Sequence, residues 1–145
     1  MDAVGRQSQA GTVMQELELN VPSEMAAVQI AAQQLISDLE TQGIADRDIF
    51  HVRLALDEAL ANAVKHGNRL DPSKQVHLRY IIDNEQIVIT IEDDGEGFDI
   101  SKVADPTDEE NLDKPGGRGL LMMRSFMTKI SYNDRGNRVT LVKSF

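Results

Sequence analysis

Between Val13 and Val142 the hydrophobic positions change period several times, and each change predicts an element. Val13, Leu17 and Leu19 fall on one side of an extended segment, with Gln15 interrupting the series, which predicts a first strand over 13–19. Pro22 and Ser23 then open a helix, with Ser23 as its N-cap. Val28, Ala32, Leu35 and Leu39 recur at helical spacing, and Gly43 marks the end. Asp46 is the predicted cap of a second helix running to about His66, with Ile49, Val52, Leu56, Ala59, Leu60 and Ala63 as its apolar stripe. The period then drops to two. Val76, Leu78, Tyr80 and Ile82 alternate, Asp83 and Asn84 turn, and Ile87, Ile89 and Ile91 alternate again, which is the signature of a hairpin. From Asp99 to Pro115 the chain is polar and acidic, and a long mobile loop is predicted there. A helix from about Arg118 to Met127 follows. A second hairpin closes the chain, with Ile130 to Tyr132, a turn through Asn133, Asp134, Arg135 and Gly136, and Val139 to Val142.

The predicted order is β-α-α-β-β-loop-α-β-β. Strands joined mostly by hairpins imply an α+β fold, a two-layer α/β sandwich whose mixed, mostly antiparallel sheet carries helices on one face. The Gly-rich turns do not open a βαβ unit, which disfavours the common dinucleotide fold. Residues 1–11 carry little that could pack and are expected to form a flexible N-terminus, with one domain over 12–145 and a mobile lid at about 99–117.

Composition narrows the chemistry. The chain has 145 residues and no Cys, so disulfides, thiolate metal sites and cysteine nucleophiles are excluded. Its net charge of −9 disfavours nucleic acid and anionic membranes as direct partners. ATP stays compatible, because Mg²⁺ and local cations invert the potential inside a pocket. There is no signal peptide and no apolar run long enough to span a bilayer, so a cytoplasmic location is expected.

Three motifs carry candidate chemistry. On the second predicted helix Glu58, Asn62 and His66 are spaced four apart; each such step drifts only about 40°, so all three share a face with Lys65 beside them. A solvated outer face would look the same. Leu54, Ala55 and Ala61 flank the trio, however, and that mixture suits a lined pocket. There a carboxylate could accept the proton of an attacking hydroxyl, and an amide oxygen one turn away could hold Mg²⁺.

The second motif, Asp93-Asp94-Gly95-Glu96-Gly97-Phe98-Asp99, ends a strand abruptly. Gly95 and Gly97 permit close approaches that side chains forbid, and Asp94 could accept a hydrogen bond from the amino group of a base. A simple acidic turn is the alternative. The third, Gly116-Gly117-Arg118-Gly119-Leu120, precedes an apolar run and opens a helix, where free N–H groups bind phosphate. A hinge or tight helix start would carry the same residues, and the Walker pattern is absent.

In this order the motifs resemble the GHKL ATPase superfamily of gyrase, heat-shock chaperone and histidine kinase catalytic domains, known for the Bergerat fold. Glu58-x-x-x-Asn62-Ala63-x-x-His66-Gly67 resembles its N box, the other two motifs its glycine boxes, and the polar stretch between them its ATP lid. Within the superfamily the N box is most similar to that of the anti-sigma factor serine kinases. The resemblance implies that Glu58 is the general base, that Asn62 is the Mg²⁺ ligand and that Asp94 reads the adenine amino group. It also implies that His66 and Gly67 belong to the ATP-binding set, as do Lys114, Gly116, Arg118 and Leu120, and that Gly95, Gly97, Gly117 and Gly119 shape the phosphate cradle. Some members of the family carry Arg just before the second glycine box; here that place is Pro115, and either Lys114 or Arg118 could substitute as the cation.

The function implied is an ATP- and Mg²⁺-dependent serine/threonine kinase that phosphorylates a small antagonist protein, sequesters a sigma factor and forms a homodimer, with the N-terminal strand as the place to look for pairing. The alternative is a nucleotide-gated protein-binding module without kinase activity. A histidine kinase fragment is a weaker third reading, because no phosphoacceptor helix pair is present; His51 is expected on a helix surface and His77 on a strand.

Overall fold

The computed structural model describes residues 12–96 and 123–145. Strand β1 (Val13–Pro22) leads into helices α1 (Met25–Thr41) and α2 (Asp46–Asn62), and α2 runs on into a π-helical turn, Ala63–Gly67. Strands β2 (Gln75–Asp83), β3 (Gln86–Asp93), β4 (Lys129–Tyr132) and β5 (Arg138–Ser144) complete the described elements. The five strands form one sheet in the order β1-β2-β3-β5-β4. Every pairing is antiparallel, so among the described residues the sheet is not mixed.

Alternation decides which way each strand faces. Val76, Leu78, Tyr80 and Ile82 of β2, Ile87, Ile89 and Ile91 of β3, and Val139 and Leu141 of β5 are buried beneath the helices. They meet Val28, Ala32, Leu35 and Leu39 of α1 and Ile49, Val52, Leu56, Ala59 and Leu60 of α2 in one core. Tyr80 is wholly buried, and its hydroxyl donates to Asp38 Oδ2 at 2.6 Å, tying β2 to α1. Burial and this carboxylate push the Tyr80 hydroxyl far above its ordinary value. The β2–β3 turn is held by Asp83 Oδ1, which accepts the N–H groups of Glu85 and Gln86, both at 2.8 Å.

Two expected helix caps are placed otherwise. Ser23 is buried and does not cap α1; Glu24 holds the N-cap position without a side-chain bond. The Ser23 hydroxyl is engaged instead by the Asn68 side chain at 3.0 Å. Asp46 is the first residue of α2 rather than its cap, and with Asp48 it puts negative charge in the first turn, where the helix dipole favours it. α2 also ends as an α-helix at Asn62, where the π-helical turn takes over.

Residues 1–11, Gly97, the predicted lid, Lys114 and Gly116 to Leu120 lie outside the described residues, as does the predicted start of the third helix at Arg118. Of that helix, residues 123–126 are described and helical.

Candidate functional site

The site is built where the end of a helix meets the end of a strand. Glu58 and Asn62 stand one turn apart on α2, both half-buried. After Asn62 the backbone widens into the π turn, with the Asn68 N–H reaching back five residues to Ala63 O at 2.8 Å. Such bulges recur at functional sites. His66 and Lys65 are exposed, while Gly67 is partly covered.

Gly67 and Gly95 lie against each other and against Asp93. A Cβ on Gly67 would overlap the Asp93 carboxylate, reaching Oδ1 at 2.8 Å and lying closer still to Oδ2. A Cβ on Gly95 would overlap the carbonyl oxygen of Gly67 and lie 2.7 Å from its carbonyl carbon. Only glycine permits both approaches.

Asp93 is buried, and its Oδ1 accepts the Gly95 N–H at 2.8 Å. Burial pushes its carboxyl above the usual carboxylate range, against the pull of that N–H, and the neighbouring charges of Asp94 and Glu92 add to the rise. Its main chain is clamped by the β4–β5 turn: the Asp93 N–H donates to Asn137 O at 2.9 Å, and Asn137 Nδ2 donates to Asp93 O at 3.2 Å. From the same turn Arg135 donates to Gly95 O at 3.2 Å and to Glu96 O at 3.3 Å.

Asp94, the expected reader of the base, stands on the other side of the sheet. Asp94 Oδ2 accepts the Gln75 N–H at 2.9 Å, and Oδ1 pairs with His77 Nε2 at 2.8 Å. His77 alternates with the buried Val76 and Leu78, so it points to the open face, away from the helices. Its Nδ1 meets Asn20 Oδ1 at 2.6 Å. The His77 hydrogen bond holds the Asp94 carboxyl below its ordinary value, against partial desolvation. The expectation for Asp94 is therefore corrected in its geometry: both oxygens are engaged on the face opposite Gly67, and Asp93 occupies the position facing the helix. The signal was present in the sequence, since the buried odd-numbered series Ile87, Ile89 and Ile91 continues to Asp93 and not to Asp94.

Motif reading also passed over Tyr132 of β4. Burial pushes its hydroxyl up, and it shares an electrostatic neighbourhood with Arg124, which opposes the rise, and Glu58, which adds to it. Asp57, beside Glu58, has a raised carboxyl because it is desolvated, with Arg53 3.8 Å away as a partial offset.

Among the described residues no group of three or more His, Asp or Glu is placed to hold a metal. A lone amide such as Asn62 fits only a cation carried largely by phosphate oxygens and water, which is the habit of Mg²⁺. No helix among the described residues is long and apolar enough to cross a membrane.

Serine-protein kinase RsbW of Staphylococcus epidermidis is 29% identical over 135 residues, covering 88% of this chain and 85% of that protein. The protein of the same name from Oceanobacillus iheyensis is 27% identical over 125 residues, 82% of this chain and 79% of its own. Among solved structures, one holding the RsbU and RsbW domains of a Mycobacterium tuberculosis protein superposes with a TM-score of 0.62 over 90% of this chain. At 16% identity that likeness speaks for the fold, and this chain spans 31% of the longer one. The histidine kinase-like ATPase domain matches residues 21–143, which takes in α2, the π turn and every strand from β2 on; with Asp93 enclosed between the glycines of helix end and strand end, the chain belongs to that family.

Proposed function

We propose that the protein is an ATP- and Mg²⁺-dependent serine/threonine kinase of the anti-sigma type, acting in the cytoplasm on a small antagonist protein and sequestering a sigma factor when that antagonist is phosphorylated. The observation that carries this reading is the junction of Gly67, Asp93 and Gly95 at the foot of the helix that bears Glu58 and Asn62. The similarity to serine-protein kinases over most of both chains supports it.

In this reading Asp93, rather than Asp94, accepts the hydrogen bond from the adenine amino group, and the glycines let the base approach the backbone. Asn62 offers its amide oxygen to Mg²⁺. When bound, the cation neutralises charge on the phosphate oxygens. Glu58 takes the proton of the acceptor serine hydroxyl as that oxygen bonds to the terminal phosphorus and the bond to ADP breaks. The cation that meets the terminal phosphate is assigned to Lys114 or Arg118, and the second glycine box, Gly116 to Leu120, to the phosphates. A homodimer is part of the proposal. β1 is an edge strand, and Leu17, Leu19 and Val21 line an apolar groove with Ala27 and Ile30, the last of them largely exposed. A second copy of the chain is the occupant that would seal this edge symmetrically.

The test is phosphoryl transfer from labelled ATP to the candidate antagonist. Glu58→Ala should abolish transfer and leave ADP affinity within about threefold of wild type, the scatter expected for a group that does not bind nucleotide. Full transfer by Glu58→Ala would refute the base assignment. Nucleotide binding with no transfer by the wild type would favour a nucleotide-gated binding module.

A further inference from the structure

Directly after the π turn comes a residue that no motif singled out. Asn68 is wholly buried, with the buried Ser23 beside it. Burying an amide is unfavourable unless its hydrogen-bonding groups are matched. Here each one is. Asn68 Nδ2 donates to the Ser23 hydroxyl at 3.0 Å and to Gln75 O at 2.9 Å, while Oδ1 accepts the Asp94 N–H at 2.8 Å. The network dictates the amide's orientation. Turned over, the amide would set N–H against the Asp94 N–H and oxygen against the Gln75 carbonyl.

These partners belong to three different segments: the β1–α1 junction, the start of β2 and the end of β3. Asn68 itself closes the π turn through its own N–H. One side chain thus joins the helix end that carries Gly67 to the strand end that carries Asp93 and Gly95. The group it holds on β3 is the peptide N–H between Asp93 and Asp94. That peptide plane sets the direction in which the Asp93 carboxylate leaves the backbone. Its carbonyl side is bonded by Asn137, so the plane is gripped at both ends. The Asp94 carboxylate adds a third hold on the open face through His77 and the Gln75 N–H. A residue needed for packing alone would not have to be an amide aimed at this one peptide.

We propose that Asn68 is a positioning residue for base recognition, locking the Asp93–Asp94 peptide so that the Asp93 carboxylate stands ready for the amino group of adenine. This rests on the nucleotide reading above. It adds that selectivity for a 6-amino purine depends on a side chain that never touches the base. Preorganised recognition of this kind depends on its supporting residues.

The experiment compares ADP with inosine diphosphate, which carries a 6-oxo group in place of the amino group, by calorimetric titration of the full chain well below its melting temperature. Wild type should prefer ADP. Asn68→Ala and Asn68→Leu, which remove the acceptor of the Asp94 N–H, should lower the melting temperature and also shrink the ADP preference about tenfold, the worth of one well-aligned hydrogen bond to a charged group. A lower melting temperature with an unchanged preference would mean that Asn68 is merely structural, and would overturn the proposal. If both variants fail to fold, Ser23→Ala removes one partner of the amide; a narrowed preference supports the proposal, and an unchanged one overturns it. Asp93→Ala in the same titration separates the two layers. Loss of preference there, without loss in the Asn68 variants, refutes the positioning role alone. An undiminished preference in Asp93→Ala refutes the base reading itself and the positioning role with it.

Discussion

Gly95→Ala is the sharpest single perturbation of the site. The added methyl would overlap the Gly67 carbonyl oxygen and lie 2.7 Å from Gly67 C and 2.9 Å from Asp93 Oδ1. The first two are backbone atoms at the end of a helix, so no side-chain rotation relieves the contact. The strand end and the π turn must separate, or the turn at Asp93 must rotate. Overpacking of this kind costs about 1–3 kcal/mol of stability. Either movement pulls the Gly95 N–H from Asp93 Oδ1 and redirects the carboxylate. Losing a hydrogen bond to a charged acceptor costs about 1.5–3 kcal/mol, which is about 10- to 150-fold in nucleotide affinity. Calorimetric titration with ADP, alongside thermal melts without nucleotide, measures both. Binding within about twofold of wild type, where experimental scatter would hide any difference, together with an unshifted melt, would refute the claim that Gly67, Asp93 and Gly95 form one closed junction.

Other outcomes follow from the same geometry. Because burial raises the Asp93 carboxyl, the folded chain binds a proton before the unfolded chain does. Nucleotide-free stability attributable to Asp93 is therefore present below the ordinary carboxylate value of about 4 and is lost as pH rises through the raised value. Melts of wild type against Asp93→Asn across pH should show the two diverging in that window, with wild type the less stable at neutral pH, while wild-type ADP affinity falls as pH drops through it. Asp94 runs the other way: its depressed carboxyl contributes stability above the unfolded value that is lost as pH falls through the folded one. Asp94→Ala should cost about 0.5 kcal/mol in denaturant melts after solvent screening of this half-exposed pair. Leu56→Ala, at a site with no exposure, should cost about 2–5 kcal/mol in denaturant melts and leave a folded protein that still binds ADP. Ile30→Glu, on the exposed rim of the β1 groove, should lower the molar mass in sedimentation equilibrium to that of one chain without changing the melt at low concentration.

Local order was legible wherever one face of an element is buried. The apolar stripes of both helices and the alternation in β2 and β3 are repeated cues, and each residue in them reports the same burial. Glu58 and Asn62 could be paired from their spacing because four residues make one turn of an ordinary helix. The π turn after Asn62 could not be read in the same way, because it leaves no pattern in the residues that form it. Asp93 could have been found by extending the alternation of β3 by one step, whereas the motif reading settled on the adjacent Asp94. The caps failed for a different reason. Ser23 has the side chain of an N-cap, but a buried amide 45 residues away competes for its hydroxyl.

By itself, then, the sequence determined the element types, the faces that enter the core, and the residue classes available for phosphate and metal chemistry. All of these follow from periodicity and from the properties of single side chains. The tertiary structure decided which carboxylate faces the helix, why Gly67 and Gly95 must lack side chains, and that Asn68 ties four segments together. Those are contacts between positions far apart in the chain, and their physical reason is close approach: two backbones meet where no Cβ fits, and one buried amide finds all its partners only after helix and sheet have docked.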